Sequence, residues 1–192
     1  NARNAPGKPA LIFEDRRLDW RTLNAGANRL ANTLTKLGLR TGDRVVYIMD
    51  NSVEFLEVFY GLAKLGIIGA PVMTGSVARE IAYVARDLGA QLVICQASAA
   101  AAVLEAGPQM PDVSDVIGFG DGHPFGLDYE MLTRAASEEE PDVDLSPDHD
   151  LTVKYTSGTT GEPKGCLRTH RQLLARSEEH TSELQSRLHL VC

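Results

Sequence analysis

The chain is predicted to be an α/β protein whose mostly parallel sheet carries helices on both faces. Three observations predict it. Short apolar runs alternate with longer stretches in which apolar residues recur every three or four positions. A glycine closes each of the first three helical stretches, at Gly38, Gly66 and Gly89. The resulting β-α-β-α order demands crossovers, and right-handed crossovers build a parallel sheet with helices packed against it.

Each element has its own grounds. Ala10 to Trp20 reads as a β-hairpin turning near Asp15-Arg16. Asp19 can cap a helix bearing Leu23, Ala27, Leu30, Leu34 and Leu37, which share one face. Arg44 to Met49 is an apolar strand, and Asn51 with Glu54 forms an expected cap pair for the helix carrying Phe55, Phe59, Leu62 and Leu65. Ile67 to Met73 is the next strand. Ile81, Val84 and Leu88 mark another helix, and Gln91 to Cys95 another strand. Ala97 to Ala106 reads as helical, Val113 to Phe119 as a strand, and Leu127 to Ala136 as a short helix. These segments concentrate no titratable groups and are expected to be scaffold.

Ser137 to Asp150 is acidic and broken by Pro141 and Pro147, which reads as a solvated connector. His149 inside it is expected to be exposed, and His123 has no companions at metal-ligand spacing. The 192 residues are 43% hydrophobic and 23% charged, as in ordinary globular proteins. The net charge of −7 excludes a general nucleic-acid binder. No apolar run approaches the roughly 20 residues that span a bilayer, so no integral membrane segment is expected. Cys95, Cys166 and Cys192 form no Cys-x-x-Cys pair, which suits a reducing, cytoplasmic compartment.

Chemistry concentrates in one stretch, Tyr155-Thr156-Ser157-Gly158-Thr159-Thr160-Gly161-Glu162-Pro163-Lys164-Gly165. Glycines allow positive φ and let backbone amides approach an anion with no Cβ between them. Hydroxyls can donate to phosphate oxygens, and a lysine adds a compact positive charge. The stretch is therefore a candidate phosphate-binding loop, delivered by a strand from Leu151 to Tyr155 with Lys154 facing outward. Its lysine precedes glycine instead of Ser or Thr, so it is not the common nucleotide loop. Cys166 has no base partner and is read as a buried thiol. Cys166 to His170 leads towards a helix start near Leu173-Leu174.

This loop resembles the signature of the adenylate-forming superfamily, which includes acyl-CoA synthetases, luciferases and peptide-synthetase adenylation domains. It fits Tyr-Thr-Ser-Gly-Thr-Thr-Gly-x-Pro-Lys-Gly at every fixed position. Asp15 to Trp20, Ala27 to Ala31, Gly42 to Val45, Asn51 to Phe55, Leu65-Gly66, Ala70 to Val72 and Ile81 to Tyr83 are also similar to the family's opening elements. The resemblance implies an incomplete N-terminal part of the adenylate-forming fold over residues 1–175. It implies a reaction in which a carboxylic, expectedly fatty, acid and ATP give an acyl adenylate and pyrophosphate, and CoA then displaces AMP. ATP, Mg²⁺ and CoA are the implied cofactors, and a small-molecule carboxylic acid is the implied substrate. Thr156, Ser157, Thr159 and Thr160 would donate to phosphate oxygens. Gly158, Gly161 and Gly165 would permit backbone approach, Lys164 would neutralise charge, and Pro163 would stiffen the turn. A histidine near position 170 is common in the family, which implies a structural or capping role.

The family's later metal-placing glutamate, ribose-binding aspartate, hinge and C-terminal lysine domain have no counterpart in these residues. The segment before Lys8 is also expected to be incomplete. Arg176 to Ser186 resembles a translated sequencing adapter, so residues 176–192 are expected to be a non-native tail. Three functions compete: part of an acyl-CoA synthetase, an adenylation domain loading a carrier protein, and a non-catalytic ATP-binding module.

Overall fold

Strand β3 (Arg44–Ile48) shows how the apolar runs are used, for its residues divide between two cores. Val46 and Ile48 join one core; Val45 and Tyr47 join the other. Successive strand side chains point to opposite faces, so a strand covered on both sides must be apolar at every position. The structure, a computed structural model, describes residues 2–156 and 162–175.

Before β3 come the hairpin β1 (Pro9–Phe13) and β2 (Arg16–Asp19), then helix α1 (Trp20–Lys36). After it come α2 (Val53–Leu65), β4 (Ile68–Val72), α3 (Ala78–Leu88), β5 (Leu92–Gln96), α4 (Ala100–Ala106) and β6 (Asp115–Phe119). β7 (Leu127–Asp128), α5 (Tyr129–Arg134), β8 (Asp150–Thr156) and β9 (Lys164–Thr169) complete the order. The hairpin pairs only with itself, and seven strands form one sheet in the order β7-β6-β5-β3-β4-β8-β9. Every neighbouring pair in it is parallel except β8 with β9. Residues of α3 and α4 build one core and residues of α1, α2 and α5 the other, so helices cover both faces as the sequence predicts.

The caps show the local chemistry. Asp19 accepts a bond from the Thr22 amide at 2.8 Å and starts α1 as expected. Gly66 and Gly89 take left-handed conformations, at φ 65° and 66°, and end α2 and α3. For α2 the expected Asn51 cap is corrected to Ser52, whose hydroxyl accepts from the Phe55 amide at 3.0 Å. The helix expected over Leu127 to Ala136 is also shorter. Leu127-Asp128 pairs with β6, and Asp128 then caps α5 through the Met131 amide at 2.7 Å.

Helices α1 and α2 touch closely because Gly61 has no side chain. A Cβ there would lie 3.0 Å from both the Ala27 carbonyl oxygen and a Leu30 methyl. Gly61→Val is expected to cost about 1–3 kcal/mol, the usual penalty for overpacking a filled core. Urea unfolding of the variant checks this, and an unchanged midpoint would contradict such close packing.

The acidic connector is not simply solvated. Asn28 donates to the Glu138 carbonyl at 2.8 Å, and Asn32 donates to the Ser137 and Glu139 carbonyls at 2.9 Å each. Lys64 and Asn24 reach the Glu140 carboxylate. Burial acts to raise that carboxyl, but the bonds from Lys64, Asn24 and Asn28 and the Lys64 charge hold it below the ordinary glutamate range. Composition marks this stretch as charged; the asparagines and lysine that fasten it stand far away in the sequence. His149 is half-buried instead of exposed.

Candidate phosphate-binding site

The site hangs from β8. Leu151, Thr152 and Val153 are buried, Lys154 is exposed and Tyr155 is half-buried, so the strand leaves the core as it nears the loop. Its join to β4 is narrow: Gly69 opposes Thr152, and the Thr152 hydroxyl donates to the Gly69 carbonyl at 2.7 Å. Thr156 closes β8 at its carboxyl end, the end of a parallel sheet at which ligands of open α/β folds bind.

The chain returns as β9, a strand where the sequence predicts only a lead into a helix. Thr156 opposes Lys164, Tyr155 opposes Gly165, and Lys154 opposes Cys166. Directly opposed residues share a face. Thr156, Lys154, Lys164, Cys166 and Arg168 therefore fall on one face of the ribbon, and Val153, Tyr155, Gly165 and Leu167 on the other. Lys154 and Lys164 stand nearest Thr156, and Arg168 lies further along the same face, opposite Thr152; among the described residues none of the three enters an ion pair. An unneutralised cationic face next to a hydroxyl suits a polyanion.

Of the predicted site residues, Thr156, Lys164 and Gly165 are thus brought together. Ser157, Gly158, Thr159, Thr160 and Gly161 lie outside the described residues, as do residues 176–192. Cys166 is exposed, which corrects the expected buried thiol. It sits on an edge strand with no further strand described beside it. Cys95 is the buried one, and burial pushes its thiol up to about 12, so it stays protonated.

The other face of the ribbon packs on α3. The Tyr83 hydroxyl donates to the Pro163 carbonyl at 2.9 Å, and the Tyr155 hydroxyl donates to Asp87 at 2.7 Å. The two rings meet edge to face, with centroids 6.3 Å apart. Burial, then the Asp87 bond and charge, raises the Tyr155 hydroxyl above the ordinary tyrosine range and keeps it a donor. From the sequence, Tyr83 is expected to be scaffold. The available signal is faint: Tyr83 and Asp87 lie four apart, on one helical face.

The described histidines do not form a centre. His123 pairs with Asp128 at 3.0 Å, and among the described residues no group of three or more His, Cys, Asp or Glu could hold a metal. Residues 170–175 are helical, and the start is capped by Thr169, which exchanges bonds with Gln172 at 3.1 and 3.3 Å. His170 is half-buried beside that cap. Burial first, and then the nearby His149, lowers its pKa and keeps it neutral near pH 7. None of the described helices is long and apolar enough to cross a membrane.

Known proteins resemble the chain over most of its length. A curated relative, the long-chain-fatty-acid–CoA ligase FadD13 of Mycobacterium tuberculosis, is 39% identical over 176 residues, covering 90% of this chain and 34% of that protein. The fatty acid–[acyl-carrier-protein] ligase ScoC of Streptomyces coeruleorubidus is 31% identical, over 95% of this chain and 34% of its own length. A solved fatty acyl CoA synthetase of Mycobacterium tuberculosis superposes with a TM-score of 0.79 at 37% identity, covering 88% of this chain and 33% of that one. The chain thus spans about a third of the length of these relatives. The sequence profile of the family described as AMP-binding enzyme matches residues 1–190, and the chain belongs to that family.

Proposed function

We propose that residues 1–175 supply the first part of the adenylation domain of an ATP-dependent acyl-CoA synthetase acting on a carboxylic, most fittingly fatty, acid. The observation that carries this reading is the pairing of Thr156 with Lys164 on a cationic ribbon face, at the two ends of the signature loop. The acid's carboxylate oxygen attacks the α-phosphorus of ATP, the bond to the bridging oxygen breaks, and pyrophosphate leaves with the electron pair. Negative charge grows on the departing phosphates, so donors already aimed at them lower the barrier. In this assignment Thr156 donates to a phosphate oxygen and Lys164 neutralises charge, while Ser157, Thr159 and Thr160 add hydroxyls. Gly158, Gly161 and Gly165 keep the backbone open to the anion.

The described residues fit a polyphosphate. They do not fit a protein-held Mg²⁺, since no group of three or more His, Cys, Asp or Glu among them could hold a metal. Binding of CoA, and a cytoplasmic place for the reaction, follow from the same assignment and draw on the CoA ligases among the relatives.

Carboxylate-dependent exchange between ATP and labelled pyrophosphate tests the proposal. The complete protein containing this sequence is expected to exchange with a fatty acid, and the 192-residue chain alone is expected not to. Robust exchange by the chain alone would overturn its reading as a part. A second reading, loading of an acyl carrier protein, has support from ScoC. Acyl transfer to a carrier protein in preference to CoA would favour it.

A further inference from the structure

Beyond the residues that would touch phosphate, the structure shows how the two stems of the loop are held apart from it. Residue Tyr155 is the last but one of the incoming strand, and Pro163 immediately precedes the outgoing one. Both reach the same stretch of α3. Tyr155 donates to Asp87 at 2.7 Å, and Tyr83 donates to the Pro163 carbonyl at 2.9 Å. Among the described residues, this is the one side-chain hydrogen bond to the segment Glu162-Pro163.

The support behind it is packed into the core. Ile81, Ala82, Val84 and Ala85 are buried on the core side of α3, which leaves Tyr83 and Asp87 on the side towards the ribbon. The edge-to-face contact of Tyr83 with Tyr155 links the two hydrogen bonds into one unit. Proline restricts its own backbone, so a bond to the Pro163 carbonyl fixes the direction of the chain entering Lys164. Gly165 completes the fit: a Cβ there would lie 2.8 Å from Val153 and 3.3 Å from the Tyr155 ring. The outgoing strand can lie over Tyr155 only because that side chain is missing.

We propose that Tyr83, with Tyr155 and Asp87, is a positioning element that sets Thr156 and Lys164 opposite each other for phosphate binding. The inference rests on the phosphate-holding role proposed above. These residues lie on the α3 side of the ribbon, opposite the Lys164 face, so they act through the loop stems and touch no phosphate. The arrangement makes the affinity of the loop depend on a helix that precedes it by about seventy residues in the sequence.

Tyr83→Phe removes the hydroxyl and keeps the ring. In the 192-residue chain it is expected to weaken binding of ATP and of inorganic pyrophosphate about fivefold, the worth of one ordinary hydrogen bond. Amide hydrogen exchange in a peptide covering residues 163–168 should quicken, with the melting temperature unchanged within a few degrees. A merely structural tyrosine would lower the melting temperature and leave the affinity of the remaining folded protein intact. Unchanged affinity and unchanged exchange would overturn the proposal. If the wild-type chain binds neither ligand but Tyr83→Phe still quickens exchange at 163–168, the holding of the stem stands and the phosphate reading falls. Should Tyr83→Phe not fold, Tyr155→Phe, which loses only the bond to Asp87, is judged by the same two readouts.

Discussion

Lys164→Ala is expected to weaken ATP binding by roughly ten- to a hundredfold while leaving the fold intact. A hydrogen bond to a charged group contributes about 1.5–3 kcal/mol, and each 1.4 kcal/mol is about a factor of ten. Lys164 is exposed, stands opposite Thr156 and forms no ion pair among the described residues, so its removal breaks no internal contact of that kind. Titration calorimetry with ATP on the 192-residue chain measures the loss. Lys36→Ala removes an equal charge from the exposed last turn of α1 and serves as the control. Equal losses in the two variants would mean that bulk charge, and not this position, holds the nucleotide. The Lys164 contribution should also shrink as salt is raised, because an exposed cation is screened within about 8–10 Å at physiological ionic strength.

The second large effect is on stability. Leu30→Ala is expected to cost about 2–5 kcal/mol, the range for truncating a buried leucine in a packed core. Leu30 is 0% exposed, and it lies against Gly61 in the contact between α1 and α2. A loss of that size is a large fraction of the roughly 5–15 kcal/mol that holds a domain folded. Leu104→Ala, at a site 55% exposed on α4, should change stability by no more than about 0.5 kcal/mol. Urea unfolding followed by circular dichroism compares the two. Similar midpoints would contradict the placing of the α1–α2 seam at the heart of the second core.

Local signals were legible wherever a short-range interaction decides the outcome. The cap by Asp19 and the stops at Gly66 and Gly89 depend on hydrogen bonds and φ values within a turn, and the structure has them as expected. The cap of α2 falls one residue later than the sequence predicts, because Asn51 and Ser52 are both good capping residues and only the course of the chain chooses between them. The sequence does not predict β7, because two residues carry no periodicity. Its existence follows from β6 offering a free edge to Leu127 and Asp128. Cys166 is exposed where the sequence predicts a buried thiol for a related reason: a small, moderately apolar thiol suits a core or an edge strand equally.

By itself, the sequence determined the α/β class, the order of most elements and the loop whose residue types name the family, since each rests on neighbours in the chain. Tertiary structure alone decided what crosses long separations. It set Lys164 opposite Thr156 by folding the chain back as an antiparallel edge, and it fastened the acidic connector to Asn28, Asn32 and Lys64. It also brought Tyr83 to Pro163, eighty residues on, through a contact that exists only after α3 has packed on the sheet. Hydrogen bonds of this kind leave no periodic trace, because their partners meet through the packing of whole elements and not through spacing along the chain.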